Sequence, residues 1–236
     1  MEKEKVFKRK YYQPDIILLT VRWYLRYNLS FRDLAEMMEE RGLFFISHTT
    51  ITRRVHQYVL ELDERVRHHL KPTNDSWRVD ETYVKVKGQW MYLYRAVDSE
   101  GNTIDFYLSK ARNKQAAKRF FRKALAFSHV SKPCVITVDK TPAYPIAIQE
   151  LKEEKQMPEG IQLRQVKYLK NIGEQDHRFI KKRIRPMLGL KSLRTAKQII
   201  TGIEAMHMIK KGQTLQRENS VQNQKEFIHQ LFGIVA

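Results

Sequence analysis

Three acidic residues lie within a predicted strand, directly after a second predicted strand and at the start of a predicted helix. Asp80 lies within the segment WRVDETYVKVKG, Asp139 directly follows the apolar run CVITV, and Glu174 stands at the expected start of a helix. An acid inside an apolar strand is costly to bury unless it is paired or binds a cation. Carboxylate oxygens, with water and substrate phosphate, are the ligands that Mg²⁺ prefers. If the strands carrying Asp80 and Asp139 are neighbours, the three acids predict a divalent metal site.

Each acid also has an ordinary structural explanation. Asp139 could cap the following helix, Glu174 could complement a helix N-terminus, and Asp80 could form an ion pair. For any single acid that explanation is the more common one, so the combined placement is what favours a metal site. Glu81 is expected to face away from Asp80 because side chains alternate along a strand. His177 is assigned an orienting or phosphate-contacting role, since hard metals prefer oxygen ligands.

A row of basic residues follows Glu174 on the same predicted helix. Arg178, Lys181 and Arg185 come four, seven and eleven residues after the glutamate, which places them on one helix face. Such a row would position DNA phosphates beside a metal site, whereas a plain solvated face is the structural alternative. The predicted DNA contacts on this helix are Arg178, Lys182 and Arg185.

The elements that must position these residues follow from the hydrophobic pattern. Three stretches rich in Val, Tyr, Trp and Thr, separated by turns at Gly88 and at Ser99 to Gly101, predict an antiparallel meander. The order continues with a helix over 113–127, a buried strand over 133–138, a helix near 142–155, a strand near 162–166, and helices from about Glu174 and over 192–211. This order predicts an α/β domain with a mixed five-stranded sheet, as in ribonuclease H-like folds.

Three helical stretches precede these strands. Pro14 opens the first, Ser30 caps the second, and Ser47 starts a third that runs to about Leu70. The early turns of the third helix display residue types that contact base edges and phosphates in a major groove. The preceding turn is longer than that of a tight helix-turn-helix, so a helical interaction domain is the alternative. The predicted DNA contacts here are Thr49, Thr50, Thr52, Arg53, Arg54 and Gln57.

A boundary between these parts is predicted at residues 71–75, where proline and small polar residues would stop the third helix. The predicted domains are a helical DNA-binding region of helix-turn-helix type over 1–71, a catalytic domain over 72–212 and a C-terminal tail over 213–236. Cys134, the single cysteine, excludes an internal disulfide. Its position in an apolar run predicts a buried thiol.

Charge limits the class of partner. The 236 residues carry a formal net charge of +18, and residues 72–236 hold 30 basic against 16 acidic groups, a net +14. This excess predicts a polyanionic partner, with nucleic acid as the first candidate. No apolar run approaches the roughly 20 residues of a membrane-spanning helix, and the charged N-terminus lacks the apolar stretch of a signal peptide. The expected location is the bacterial cytoplasm, in association with the nucleoid.

Several longer segments match one known pattern. They are WRVDETYVKVKGQWMYLYRAVDSEGNTIDFYLS, TVDKTPAYP and EQDHRFIKKR, with VRWYLRYNLSFRDLAEMMEERGL near the start and LRTAKQIITGIEA followed by KGQ near the end. Together they closely resemble the bacterial insertion-sequence six family of DDE transposases, over about residues 8–213. The resemblance implies that Asp80, Asp139 and Glu174 form the DDE triad, with 34 residues between the last two. It also implies that Lys181 is the basic residue seven positions after the glutamate.

The resemblance further implies an activity and partners. The family pattern is recognition of terminal inverted repeats by the N-terminal helices, metal-dependent cleavage exposing 3′-hydroxyls, and strand transfer into target DNA. Two Mg²⁺ or Mn²⁺ ions about 4 Å apart would activate the attacking oxygen and stabilise the leaving one. The expected partner is double-stranded DNA, as terminal repeats and as target. Because two ends must be brought together, a homodimer or higher assembly on DNA is expected.

Three positions depart from the family pattern. Arg54 stands where a tryptophan is usual, Lys170 where an asparagine is usual, and Gly173 where an apolar residue precedes the glutamate. These departures predict reduced activity and leave two alternatives. One is a catalytically weakened DNA-binding regulator, and the other is a structure-specific nuclease of the same fold. A tyrosine recombinase is disfavoured because it would need a tyrosine nucleophile among Arg and His side chains, without metal.

Overall fold

The computed structural model describes residue 7 and residues 12–42, 46–127, 129–167, 170–187, 190–216 and 218–234, with the backbone alone over 170–176. Contacts group the chain into two compact units. Residues 1–70 and 182–236 form one, termed the helical unit, and residues 71–181 form the other, termed the sheet unit. Among the described residues, no helix has the length and apolar content that crossing a bilayer requires.

The elements follow the predicted order. In chain sequence they are α1 (Pro14–Arg26), α2 (Phe31–Glu40), α3 (His48–Arg67), β1 (Ser76–Val86), β2 (Gln89–Asp98), β3 (Thr103–Ser109), α4 (Lys114–Leu125), β4 (Val135–Val138), α5 (Ala143–Glu153), β5 (Gln162–Gln165), α6 (Lys170–Ile184), a 3₁₀ turn (Arg185–Met187), α7 (Leu193–Lys211) and α8 (Val221–Leu231). The start of α6 differs from the prediction. The helix begins at Lys170, so Glu174 lies in its second turn rather than at its first residue.

Serine caps fix two of the helix starts in the helical unit. The Ser30 hydroxyl accepts hydrogen bonds from the backbone N–H groups of Arg32 and Asp33, and the Asp33 carboxylate accepts one from the Ser30 N–H. Ser47 accepts a bond from the N–H of Thr50 at the start of α3. These bonds satisfy N–H groups that have no partner within a helix. The two helix starts predicted from serine are therefore confirmed.

Gly202 allows α7 to approach its neighbours closely in the helical unit. A Cβ at this position would overlap the side chains of Val59 and Leu25. We expect Gly202→Ala to lower the free energy of unfolding by about 1–3 kcal/mol through overpacking, which outweighs the gain of up to about 1 kcal/mol from better helix propensity. Thermal or urea unfolding measures the change. Gly160→Ala is the matched control because its Cβ would have no atom within 4 Å, and equal losses in the two variants would contradict this packing.

The sheet unit contains one mixed sheet. Its strand order is β3-β2-β1-β4-β5, in which β1 to β3 form an antiparallel meander and β4 and β5 run parallel to β1. Helices α4 and α5 cover one face, where their apolar side chains form a core with Trp77, Val79, Ile136 and Val138. The mixed five-stranded sheet and its helix connections confirm the predicted ribonuclease H-like fold. The carboxyl end of β4 thereby lies beside the middle of β1.

The two compact units differ from the predicted domains at the second predicted boundary, after residue 212. The first predicted boundary, after residue 71, lies next to the division after Leu70, but α7 and α8 pack on α1 and α3. Residues 182–212 and the tail 213–236 therefore belong with the N-terminal helices in the structure. Hydrophobic periodicity shows which face of a helix is buried and does not identify the element that covers it. As a division into domains, 1–71, 72–212 and 213–236 stays a prediction.

The predicted burial of Cys134 is wrong. The residue precedes β4, and its side chain is exposed. Its backbone N–H donates to the carbonyl oxygen of Asp75. The buried part of the run begins only with Ile136, one residue into the strand. The apolar pattern located the strand correctly, but Cys134 lies before its first residue, outside the part of the run whose alternate side chains are buried.

Candidate active site

Two of the predicted site residues come from adjacent parallel strands. Arg78 of β1 is paired with Thr137 of β4. Asp80 and Asp139 each lie two residues further along their own strand direction, at the carboxyl end of β4. Neighbouring strands are about 4.8 Å apart, so the two carboxylates start from neighbouring backbone positions. The expected adjacency of the two strands is present in the structure.

The Asp80 carboxylate faces a buried histidine. Its Oδ1 accepts a hydrogen bond of 2.9 Å from the backbone N–H of Glu81. Its Oδ2 lies 3.6 Å from Nε2 of His177 on α6, which is longer than a hydrogen bond. Among the described residues neither ring nitrogen of His177 has a hydrogen-bond partner, although the side chain is buried. Oδ2 of Asp80 and the buried imidazole of His177 are thus close neighbours in the sheet unit.

The Asp139 carboxylate is held by the loop that follows it and by a distant arginine. Its Oδ1 accepts the N–H of Thr141 at 2.9 Å, and its Oδ2 accepts the Thr141 hydroxyl at 2.8 Å. Nη2 of Arg112, from the loop before α4, donates to Oδ2 at 3.2 Å and to the Thr141 hydroxyl at 2.6 Å. A carboxylate offers about four acceptor positions. The three bonds to Asp139 therefore orient it and leave room for a further ligand.

Arg112 also contacts a second acid, Glu81. Nε of Arg112 donates to the Glu81 carboxylate, and the Tyr144 hydroxyl of α5 donates to the same group. The Glu81 side chain is 5% exposed and that of Arg112 is 35% exposed. Burial raises the pKa of the Glu81 carboxyl above its ordinary value, although Tyr144 and Arg112 act in the opposite direction. Arg112 thus connects Asp139 to a nearly buried acid on the side of the sheet that α4 and α5 cover.

The Arg112 guanidinium keeps its positive charge. Burial alone would lower the pKa of the Arg112 guanidinium, but Glu81 and Asp139 outweigh burial and the pKa ends above its ordinary value. Burial also raises the pKa of the Tyr144 hydroxyl, as does the neighbouring Glu81. Tyr144 therefore keeps its proton at neutral pH and donates a hydrogen bond to Glu81. The resulting network joins β1, the loop after β4, the loop before α4 and the start of α5.

Comparison with known proteins identifies the family of the chain. A family model described as a DDE domain (DDE_Tnp_IS240) matches residues 74–213. Two transposases of Staphylococcus aureus, those for insertion sequence-like element IS431mec and for insertion sequence element IS257 in transposon Tn4003, are each 36% identical over 205 residues, covering 87% of this chain and 88% of each relative. The chain belongs to the insertion-sequence six family of DDE transposases. This transposase is therefore a polynucleotidyl transferase.

Among solved structures, the transposase is similar to the catalytic core domain of HTLV-2 integrase in complex with magnesium, in its trimeric form. The two are 18% identical with a TM-score of 0.43, and the match covers 67% of this chain and 97% of that one. A simian T-cell lymphotropic virus intasome gives a TM-score of 0.44 at 20% identity, covering 68% of this chain and 55% of that one.

The predicted third acid, Glu174, lies in α6. The backbone places it one turn before His177 on this helix, and its side chain lies outside the described residues, as do the surroundings of Lys170 and Gly173. No cluster of three His, Cys, Asp or Glu side chains occurs within the part of the chain that the structure describes. The donor set of the two described aspartates fits a hard cation. The buried imidazole of His177, which has no hydrogen-bond partner among the described side chains, fits a polar ligand shell beside Asp80.

Four basic residues at the end of α6 and in the following 3₁₀ turn are exposed, whereas Arg183 of α6 is buried. Lys181 and the predicted DNA contacts Arg178, Lys182 and Arg185 have solvent-accessible side chains. The helix passes from the sheet unit to the helical unit between Lys181 and Lys182. His177 and Ile180, on another side of the helix, are buried. This division gives α6 a packed side and a cationic side.

The predicted contacts on α3 differ in exposure. Thr49, Arg53 and Gln57 are exposed along one stripe of the helix, whereas Thr50, Thr52 and Arg54 are half-buried. Thr52 donates to the carbonyl oxygen of His48 and lines a cavity of about 320 Å³ within the helical unit. Arg54 donates to the Gln57 side chain. The exposed stripe is thus the part of α3 available for a partner.

Sequence reasoning missed Arg112, Thr141 and Tyr144. Thr141 and Tyr144 lie within the family segment TVDKTPAYP, next to Asp139, so that their proximity to the site could have been predicted. Arg112 is 27 residues from Asp139 and 31 from Glu81, and no local pattern relates the three. Its position depends on how the loop before α4 meets the sheet. Only tertiary structure brings this arginine to the acids.

Proposed function

We propose that the transposase binds the terminal inverted repeats of an insertion sequence and carries out metal-dependent cleavage and strand transfer on DNA in the bacterial cytoplasm. The observation that carries this proposal is the placement of Asp80 on β1 and of Asp139 directly after the adjacent parallel strand β4, each with one oxygen held by a backbone N–H. Membership of the DDE family supports the chemistry. Glu174 of α6 completes the acid set.

The three acids, Asp80, Asp139 and Glu174, would hold two Mg²⁺ or Mn²⁺ ions. Bound there, such ions would supply Lewis-acid activation of the attacking oxygen and stabilisation of the leaving one. The chain itself contributes orientation: the Glu81 N–H fixes Asp80, and the Thr141 N–H and hydroxyl fix Asp139. Lys181 would contact the substrate close to the acids. No covalent protein intermediate is required.

DNA contacts are proposed on both units. The exposed stripe of Thr49, Arg53 and Gln57 on α3 suits a groove with base edges and phosphates. Thr50, Thr52 and Arg54 are half-buried. They would either stabilise the conformation of α3 or contact DNA after the helix rearranges on binding. On α6, Arg178, Lys182 and Arg185 would bind phosphates, in keeping with the positive charge of the chain. Two transposon ends require at least a dimer on DNA.

A strand-transfer assay tests this function. A labelled duplex carrying the transposon end, a supercoiled target plasmid and the full chain are incubated with Mg²⁺, with Mn²⁺ or with EDTA. We expect joined product with either metal and none with EDTA. Cleavage without joining would favour the structure-specific nuclease. Specific binding of the end without either reaction would favour the weakened regulator.

A further inference from the structure

The tip of the β1–β2 hairpin has one buried and one exposed face. Val84, Val86 and Met91 are buried on one side. On the other side Tyr83 is paired with Tyr92 and Lys85 with Trp90 across the two strands. These four residues, Tyr83, Lys85, Trp90 and Tyr92, are termed the hairpin face. The turn Lys87–Gly88 has positive φ at both positions, the geometry of a tight hairpin turn, so the face is built on a regular and anchored element.

The hairpin face is unusually aromatic for an exposed surface. Trp90 is 64% exposed and Tyr83 is 49% exposed. The Tyr83 ring lies 5.2 Å from the Tyr92 ring and 6.5 Å from the Trp90 ring, centroid to centroid. A strand with one buried face ordinarily carries polar side chains on the other. Clustered exposed aromatic rings indicate a surface that is covered when a partner binds.

Exposed lysines lie on and next to the hairpin face. Nζ of Lys85 lies 5.8 Å from the centroid of the Trp90 ring, and Lys85, Lys87 and Lys110 are exposed. Glu81 is the one acid in residues 81–92, and it is nearly buried and paired with Arg112. Aromatic rings beside cations suit a nucleic-acid strand, whose phosphates meet the cations while its bases stack on the rings.

The hairpin face is continuous with the candidate active site. Arg112 contacts both Glu81, two residues before Tyr83 on β1, and Asp139. Tyr83 lies on the same face of β1 as Glu81, opposite to Asp80. A DNA strand with its scissile phosphate at the acids would pass Arg112 to reach these rings.

We propose that the hairpin face binds unpaired bases of the DNA strand next to the reacting phosphate, by stacking on Trp90 and Tyr83. The inference rests on the proposed function for the location of that phosphate. Bases within a duplex are paired and have both faces covered by their neighbours, so exposed rings select unpaired bases. The face thus distinguishes frayed or single-stranded DNA from intact duplex.

A second copy of the chain is a poorer occupant. The exposed parts of Trp90 and Tyr83 amount to on the order of 250 Å² of aromatic surface. A stable protein interface buries about 800 Å² on each partner. Two copies meeting here would also bring Lys85, Lys87 and Lys110 together with their counterparts. Area and charge both favour nucleic acid.

The experiment measures binding of the full chain to a fluorescent deoxythymidine 10-mer and to a blunt duplex of the same length, at near-physiological salt. We expect Trp90→Ala and Tyr83→Ala each to weaken binding of the single strand by about tenfold, the effect of losing one stacked base. Binding of the blunt duplex should change by less than about twofold. Trp90→Phe keeps a ring and should retain most of the affinity for the single strand.

Controls separate this effect from folding and from general electrostatics. Leu215→Ala removes an apolar side chain that is equally exposed, in the helical unit, and should leave both affinities unchanged. Lys85→Gln should weaken the single strand and the duplex alike, and more so at low salt. Circular dichroism and the melting temperature verify that the variants are folded.

Several outcomes would overturn the proposal. The first is that the native chain does not bind the 10-mer, or that Trp90→Ala binds it as tightly as the native chain does. The second is that Trp90→Ala loses the same affinity for the single strand and for the duplex. The third is that Trp90→Ala shifts towards monomer in sedimentation without any loss of DNA binding. The strand-transfer assay of the native chain separates the two proposals. Joining without dependence on Trp90 would reject the hairpin face alone, whereas ring-dependent binding without joining would reject the proposed reaction.

Discussion

Asp139→Asn is expected to lower strand transfer by at least about 1,000-fold while leaving the fold intact. A ligand carboxylate contributes several kcal/mol of transition-state stabilisation through its metal, and about 4 kcal/mol corresponds to this factor. Asparagine is the same size and keeps an oxygen for the Thr141 N–H, so the loop should hold its shape. Product formation with labelled end DNA and Mg²⁺ measures the effect. Asp80→Asn should behave alike.

The matched control for Asp139→Asn removes a negative charge elsewhere in the sheet unit. Glu159 is exposed in the turn before β5, and Glu159→Gln should keep native joining within about twofold. A melting temperature near that of the native chain would show that Asp139→Asn is folded. Equal joining by Asp139→Asn and the native chain would remove Asp139 from the site.

Arg112→Gln is expected to lower strand transfer by about 10- to 100-fold, the range for residues that orient metal ligands. Arg112 holds Asp139 from one side and Glu81 from the other. Its loss also leaves a nearly buried acid without its cation, at a cost of about 2 kcal/mol. This is below the range for a fully buried pair because a third of the arginine side chain is exposed. The joining rate and the urea midpoint measure the two effects separately.

Two further variants separate orientation from stability at Arg112. Arg112→Lys keeps the charge but cannot contact both acids with a planar fork, so it should recover stability more than activity. The double variant Arg112→Gln with Glu81→Gln removes both charges, and should regain the urea midpoint while joining stays low. Recovery of joining in the double variant would mean that Arg112 acts only by neutralising Glu81. It would then have no role in orienting Asp139.

Much of the sheet unit could be predicted from local patterns. The aromatic and β-branched stretches and the short apolar run before Asp139 predicted the meander and β4, and the strands pair as expected. Ser30 and Ser47 predicted helix starts because a hydroxyl satisfies N–H groups that the helix leaves free. The neighbouring positions of Asp80 and Asp139 were predicted from these strands. Local patterns suffice where a residue's position is set by its own strand or helix.

Features set by distant contacts could not be predicted in this way. Arg112 reaches Asp139 only through the packing of a loop, and α7 and α8 pack with α1 and α3 across the sequence. Trp77 of β1 and Tyr94 of β2 are buried, whereas Tyr83 and Trp90 on the same strands are exposed. That exposure depends on where α4 and α5 stop covering the sheet. Hydrophobic periodicity carries no information on that limit.

Acids of β1, of the end of β4 and of α6 are proposed to hold metal together. Electron paramagnetic resonance can count the Mn²⁺ ions bound by the full chain on a transposon-end duplex. We expect two bound ions per active site in the native complex, and loss of at least one in Asp80→Asn, in Asp139→Asn and in Glu174→Gln. Native Mn²⁺ binding in the Glu174→Gln complex, with DNA binding unchanged, would contradict this proposal.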